Sequence, residues 1–142
     1  MNTRTEDGIT PLYIAVQNNS IDCVKLLITA GADLNHPRNE NGATPLHIAA
    51  QDNNTDCLKL LINARANLNA QNKYGITALH IAAAMGNTDC MKRLIRAEAD
   101  INAALSDGTT PLAIATGMGN NDCARLLMNA GARQETEAMP GR

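Results

Sequence analysis

Apolar positions come in short blocks, and the blocks recur. In the first copy, Leu12, Ile14, Ala15 and Val16 are followed by a polar stretch, Gln17-Asn18-Asn19, and then by Cys23, Val24, Leu26, Leu27 and Ile28. The first block predicts a brief helix near Pro11–Gln17, with those four residues to bury. The second has i, i+3, i+4 spacing, the stripe of a second, amphipathic helix. The polar residues between them mark a turn.

The whole pattern then returns three times. Cysteines stand at Cys23, Cys57, Cys90 and Cys123, in steps of 34, 33 and 33. Gly8, Gly42, Gly75 and Gly108 keep the same steps, as do Leu12, Leu46, Leu79 and Leu112. Three residue classes sharing one period define a repeat array, in which each unit reads turn, helix, turn, helix. Thr10, Thr44, Thr77 and Thr110 are placed to cap the first helices. Pro11, Pro45 and Pro111 follow, where a missing N–H costs nothing, and Ala78 takes that place in the third unit. Asn18-Asn19, Asn53-Asn54, Gly86-Asn87 and Gly119-Asn120 form the inner turn; both residue types tolerate left-handed backbone. Gly31 and Gly131 suit a left-handed cap at the end of the second helix. Arg65 and Glu98 replace them in the middle units, at a cost of about 1 kcal/mol each if that conformation persists.

The period, the start Thr44-Pro45-Leu46-His47-Ile48-Ala49, the DCxKLLI second helix and the AGADLN close resemble the ankyrin repeat. The resemblance runs from Thr5 to Ala132. It implies an all-α solenoid of paired antiparallel helices with hairpin loops projecting sideways, stabilised largely by contacts between neighbours. The expected division is repeat 1 at 5–37, repeat 2 at 38–71, repeat 3 at 72–104 and repeat 4 at 105–133. A polar tail follows at 134–142.

Composition narrows the function. The 142 residues are 44% hydrophobic, with two Tyr, no Phe and no Trp, so the core must be aliphatic and closely packed. Twelve basic against fourteen acidic residues leave a net charge of −2, which argues against a nucleic-acid-binding surface. No apolar run approaches the roughly 18 residues needed to cross a bilayer, so no membrane insertion is expected. The opening residues MNTRTEDG hold no apolar segment of a secretory leader.

Four cysteines invite a disulfide or zinc reading, and the spacing opposes both. Equivalent positions in stacked repeats lie about 10 Å apart, beyond the roughly 7 Å a disulfide spans. There is no CxxC or CxxH pair for a metal. All four are expected to be reduced, buried thiols, which favours the cytoplasm and leaves the nucleus open. His47 and His80 share a repeat position, which the resemblance implies braces the adjoining loop; Tyr13 and Ala113 replace it in the outer units. His36 lies in the longer HPRNE loop and reads as solvated. No nucleophile motif or phosphate loop is present, so neither enzyme activity nor a cofactor is expected. Asp22/Lys25, Asp56/Lys59, Asp89/Lys92 and Asp122/Arg125 form an i, i+3 ladder worth only about 0.2–0.5 kcal/mol per pair.

The resemblance implies that partners dock on a concave face of hairpin tips and first-helix sides. Carried over, that face holds Glu6, Asp7, Ile9, Gln17 and Asn18 in unit one and Glu40, Asn41, Ala43, Gln51 and Asp52 in unit two. Unit three supplies Lys73, Tyr74, Ile76, Ala84 and Met85, and unit four Ser106, Asp107, Thr109, Gly117 and Met118. Its first half is polar and mostly acidic; its second is apolar around Tyr74, Ile76, Met85 and Met118. The expectation is a monomeric, non-enzymatic module that binds a protein with a basic and an apolar segment. The alternative is a scaffolding or regulatory array within a larger enzyme, channel or effector. Unit one keeps Ile14, Val16, Ile21 and Val24, much like an internal unit, and unit four is softer. A complete small protein and a piece of a longer array both remain open on this reading.

Overall fold

Thr10, Thr44, Thr77 and Thr110 lie in extended backbone immediately before a helix. In the computed structural model, which describes residues 8–38 and 40–132, three of these hydroxyls accept from the N–H three residues on. The distances are 3.2 Å at Thr10, 3.4 Å at Thr77 and 3.2 Å at Thr110. The first helices begin there: α1 Pro11–Gln17, α3 Pro45–Gln51, α5 Ala78–Met85 and α7 Pro111–Gly117. The second helices are α2 Ile21–Thr29, α4 Thr55–Asn63, α6 Thr88–Arg96 and α8 Asn121–Asn129. Among the described residues there are only helices and turns, as expected of an all-α solenoid.

The three-residue turn from α1 to α2 includes Asn19 at φ 54°, and Asn53, Gly86 and Gly119 hold the same left-handed place later. So short a link folds each second helix back on its first. First helices then contact first helices in succession, and second helices contact second helices, giving two layers. The shared core follows the period: Leu12, Leu46, Leu79 and Leu112 in one layer, with Leu61, Leu94 and Leu127 in the other. Burying each Leu contributes about 1.5–3 kcal/mol.

Unit one departs from the expected pattern. Tyr13 is buried, whereas Ile14 is 42% exposed and Leu26 70% exposed. Cys23 is also exposed, unlike the other three cysteines. All three exposed residues lie on the side where units two to four meet the unit before them. The sequence stripe marks a side chain that something can bury; whether a neighbour is present is a separate matter.

The second helices close alike. Arg65 N–H donates to the Ile62 carbonyl and Ala66 N–H to the Leu61 carbonyl, both at 3.0 Å, which is the double bond of a Schellman close. It requires positive φ, and Arg65 (71°) and Glu98 (70°) adopt it where unit four has Gly131 (105°). Arg65→Gly and Glu98→Gly should therefore each raise stability by about 0.5–1 kcal/mol, the relief of a left-handed side-chain residue less the added chain entropy. Urea unfolding checks this; a loss of stability would mean that the arginine or glutamate side chain supplies a contact larger than the strain.

Candidate protein-binding face and the seams beneath it

Asn54, Asn87 and Asn120 occupy N-cap positions, but none of their side chains caps its own helix. Each turns its amide to the preceding unit. Asn54 Nδ2 donates to the Val16 carbonyl at 2.9 Å, Asn87 to Ala50 at 2.6 Å and Asn120 to Ala83 at 2.7 Å. These carbonyls lie in the last turn of a first helix, where the helical ladder leaves acceptors unfilled. The sequence placed these asparagines only in a turn. Their recurrence was the available signal, since a residue needed merely to turn the chain has no reason to be Asn in three units running.

The histidines tie the hairpins. His47 Nδ1 accepts the Thr44 N–H at 3.0 Å, so the ring proton sits on Nε2, which donates to the Ile76 carbonyl of the next hairpin at 2.7 Å. His80 repeats the arrangement with Thr77 N–H at 3.1 Å and the Thr109 carbonyl at 3.3 Å. Both rings are buried. Burial lowers both pKa values, opposed by the bond to the next hairpin's carbonyl. Tyr13 fills the equivalent place in unit one; burial pushes its phenol up, and the Arg38 guanidinium works against that shift. His36 is half-buried, its Nδ1 4.0 Å from the Asp33 carboxylate.

All four cysteines are free thiols, with Cys57, Cys90 and Cys123 buried in the seams. Cys90 Sγ lies 3.8 Å from the Ala49 carbonyl and Cys123 Sγ 3.9 Å from the Ala82 carbonyl, both in the preceding unit. Burial, and then the adjacent aspartate, raises all three thiols, Cys90 to about 11. These are weak nucleophiles. Among the described residues no group of three His, Cys, Asp or Glu side chains is placed to hold a metal, and no helix is long and apolar enough to cross a membrane. The i, i+3 ladder closes an ion pair at Asp122–Arg125, 3.5 Å, between exposed side chains.

The expected face residues divide into three groups. Tyr74, Met85 and Met118 are exposed by 68%, 56% and 63%. Met85 ends α5, and Met118 follows α7 at the equivalent position. Gln17, Asn18, Gln51, Asp52, Lys73, Ser106, Asp107 and Gly117 are exposed as well, and Glu40 is exposed and paired with Arg38 at 3.0 Å. The second group works within the hairpins. Asn41 accepts the Ala43 N–H on its side chain and the Lys73 N–H on its carbonyl, both at 2.9 Å. Ile76 and Thr109, both half-buried, supply the carbonyls that receive the histidines. Asp107 accepts the Thr109 hydroxyl at 2.6 Å and its N–H at 3.0 Å, which holds the carboxyl below its ordinary pKa. Ile9 and Ala84 are half-buried. The third group leaves the face: Ala43 is buried as part of the hydrophobic core. Glu6 and Asp7 lie outside the described residues.

The profile of a family described as ankyrin repeats (3 copies) matches residues 1–72 and 53–138. Together these spans take in every helix, and the chain belongs to the ankyrin repeat family, whose members are in general protein-interaction modules. The chain is similar to BRCA1-associated RING domain protein 1 of Caenorhabditis elegans, 60% identical over 30 residues. That stretch is 21% of this chain and 4% of the relative, so the chain spans a small fraction of that protein's length.

Three outcomes follow from the seams. Asn87→Asp, which sets an acceptor against the Ala50 carbonyl, should cost about 1–3 kcal/mol in urea unfolding, whereas an ordinary N-cap would accept this exchange without loss. For the histidines, depressed folded pKa values mean that the unfolded chain binds more protons. Their contribution is complete above the ordinary value of 6.5 and is lost as pH falls through the lower folded values. Urea midpoints taken between about pH 7.5 and about pH 5.5 should fall, and His80→Gln should flatten that slope; an unchanged slope would place the proton uptake elsewhere. Native alkylation followed by peptide mapping should label Cys23 fast and Cys57, Cys90 and Cys123 slowly. Uniform labelling would mean that the seams open freely.

Proposed function

We propose that this ankyrin array is a non-enzymatic binding module that takes a partner polypeptide on the face formed by the hairpin tips and the exposed sides of the first helices. One observation carries the reading: Tyr74, Met85 and Met118, large and able to make apolar contacts, are exposed together in the second half of the array. Side chains of this kind are enriched at protein interfaces. The equivalents of Met85 and Met118 in units one and two are Asn18 and Asp52, so the apolar character is confined to one half.

The two halves have different work. Tyr74, Met85 and Met118, with Ile76 partly beneath, supply desolvation and most of the affinity. Glu40 and Asp52, with Glu6 and Asp7, attract a basic segment and speed its approach. Location in the cytoplasm or nucleus and a monomeric state belong to the same proposal. A scaffolding or regulatory role inside a larger protein is the second reading, favoured by the small fraction of the nematode relative that this chain spans.

Tyr74→Ala and Met85→Ala should each weaken partner binding by about 1–3 kcal/mol, with thermal melts unchanged because both side chains are exposed. Lys59→Ala and Lys92→Ala, on the second helices, should be near neutral. Calorimetric titration against a partner isolated by affinity capture reads all four. Critical lysines with a silent Tyr74 would move the site to the second-helix surface.

A further inference from the structure

We propose that the groove between the second helices α4 and α6 docks an acidic peptide segment, separately from the first-helix face. The starting point is a departure from the chain's own repeat. The second helices match position by position, and Leu26, Leu60 and Leu126 are replaced in unit three by Arg93. Three residues on, Thr29, Asn63 and Asn129 give way to Arg96. Leu60 and Leu126 are half-buried where they stand, and so is Arg93. An apolar contact has been exchanged there for a partly desolvated guanidinium, which costs free energy until the charge is paired. Asp89 lies one turn back, at the spacing of a helical ion pair. Yet among the described residues neither Arg93 nor Arg96 closes an ion pair.

The two arginines share one groove. Lys59, Asn63, Arg93 and Arg96 form its polar lining, with Ile62 and Ala97 between them. Three cations and an amide are present, and no carboxylate. The next groove along, between α6 and α8, is different: Lys92 shares it with Asp122, which is already paired with Arg125 at 3.5 Å. The unanswered positive charge is thus confined to one seam. Arg96 ends α6, where a cation also complements the helix dipole. That accounts for a charge at the helix end but not for Arg93 in a leucine's place.

The lining defines the occupant. Guanidinium forks take carboxylates two hydrogen bonds at a time, and Ile62 and Ala97 offer apolar contact between them. The complement is a polypeptide that presents carboxylates on either side of an aliphatic side chain. A flat anionic membrane fits less well, because Asp56, Asp89 and Glu98 are exposed on or beside the same two helices and would meet it too. Nucleic acid needs a longer basic track than one seam supplies. None of the proposed face residues lines this groove, so the two surfaces stand on separate observations.

The test uses the full chain and a short fluorescein-labelled peptide in which glutamates flank a central leucine, read by fluorescence anisotropy. The peptide should bind, and added salt should release it; its glutamine counterpart should not bind. Arg93→Leu, which restores the residue of the other three units, should weaken binding by about tenfold or more, the loss of a charge-assisted pair, without lowering the urea midpoint. Arg96→Asn should act in the same direction, and Arg93→Lys should lose less, since it keeps the charge without the fork. Tyr74→Ala should leave the affinity unchanged, so that a failure here and a failure of the first-helix face are read separately. Equal affinity for the glutamine peptide, full affinity in Arg93→Leu, or no anisotropy change up to about 1 mM protein would overturn the proposal. A lower urea midpoint for Arg93→Leu would do so as well, by assigning the arginine to the fold. Arg93-dependent sedimentation with phosphatidylserine vesicles, with the peptide left unbound, would give the seam to a lipid surface instead.

Discussion

A pair of helices seven to nine residues long cannot hold itself together. Such helices are marginal in water, and each pair here has two apolar flanks but only one shared interior. Burial against the next pair is the interaction on which everything else depends. The seam consequently receives the chemistry that repeats most faithfully: the thiol of the second helix, the amide beside it and the carbonyls at the end of the preceding first helix. The hairpins are held by a second set of bonds, from His47 and His80, so one unit fixes its neighbour in both layers.

This arrangement frees some positions from structural duty. At the end of α5 and just after α7, Met85 and Met118 are exposed, and the equivalent positions hold Asn18 and Asp52. Identity can change there at little cost to the fold. Asn41 and Ile76 sit nearby but carry hydrogen bonds between or within hairpins, and their latitude is correspondingly smaller. A binding surface on this scaffold is therefore a mosaic of variable tips on a constrained base.

The two ends of the array are chemically different for the same reason. Unit four loses the histidine and gains a threonine on its outward side, changes that reduce what a following unit could gain. Unit one keeps the apolar residues of an internal seam at Ile14, Cys23 and Leu26. In a nearest-neighbour stack, a flank without its neighbour forfeits an interface term that the helix pair cannot replace from within.

Much of this was determined by the sequence alone. The period, the helix pairs, the Thr-Pro starts and the family all follow from local propensity and from repetition, which short windows of residues express fully, whereas the left-handed backbone at Arg65 and Glu98 was left conditional by their side chains and is set by the fold. Exposure of Tyr74, Met85 and Met118 also followed, because it depends only on position within the repeat. What the tertiary structure decided is which neighbour each flank meets. Cys23 and Cys57 share the Asp-Cys-x-Lys-Leu-Leu-Ile frame, yet one thiol is exposed and the other is buried against a preceding unit. Likewise Asn54, Asn87 and Asn120 look like turn residues until the preceding helix end is in place to receive them. Burial and hydrogen bonding between units are properties of the pair, and no single unit's residues encode whether its partner is there.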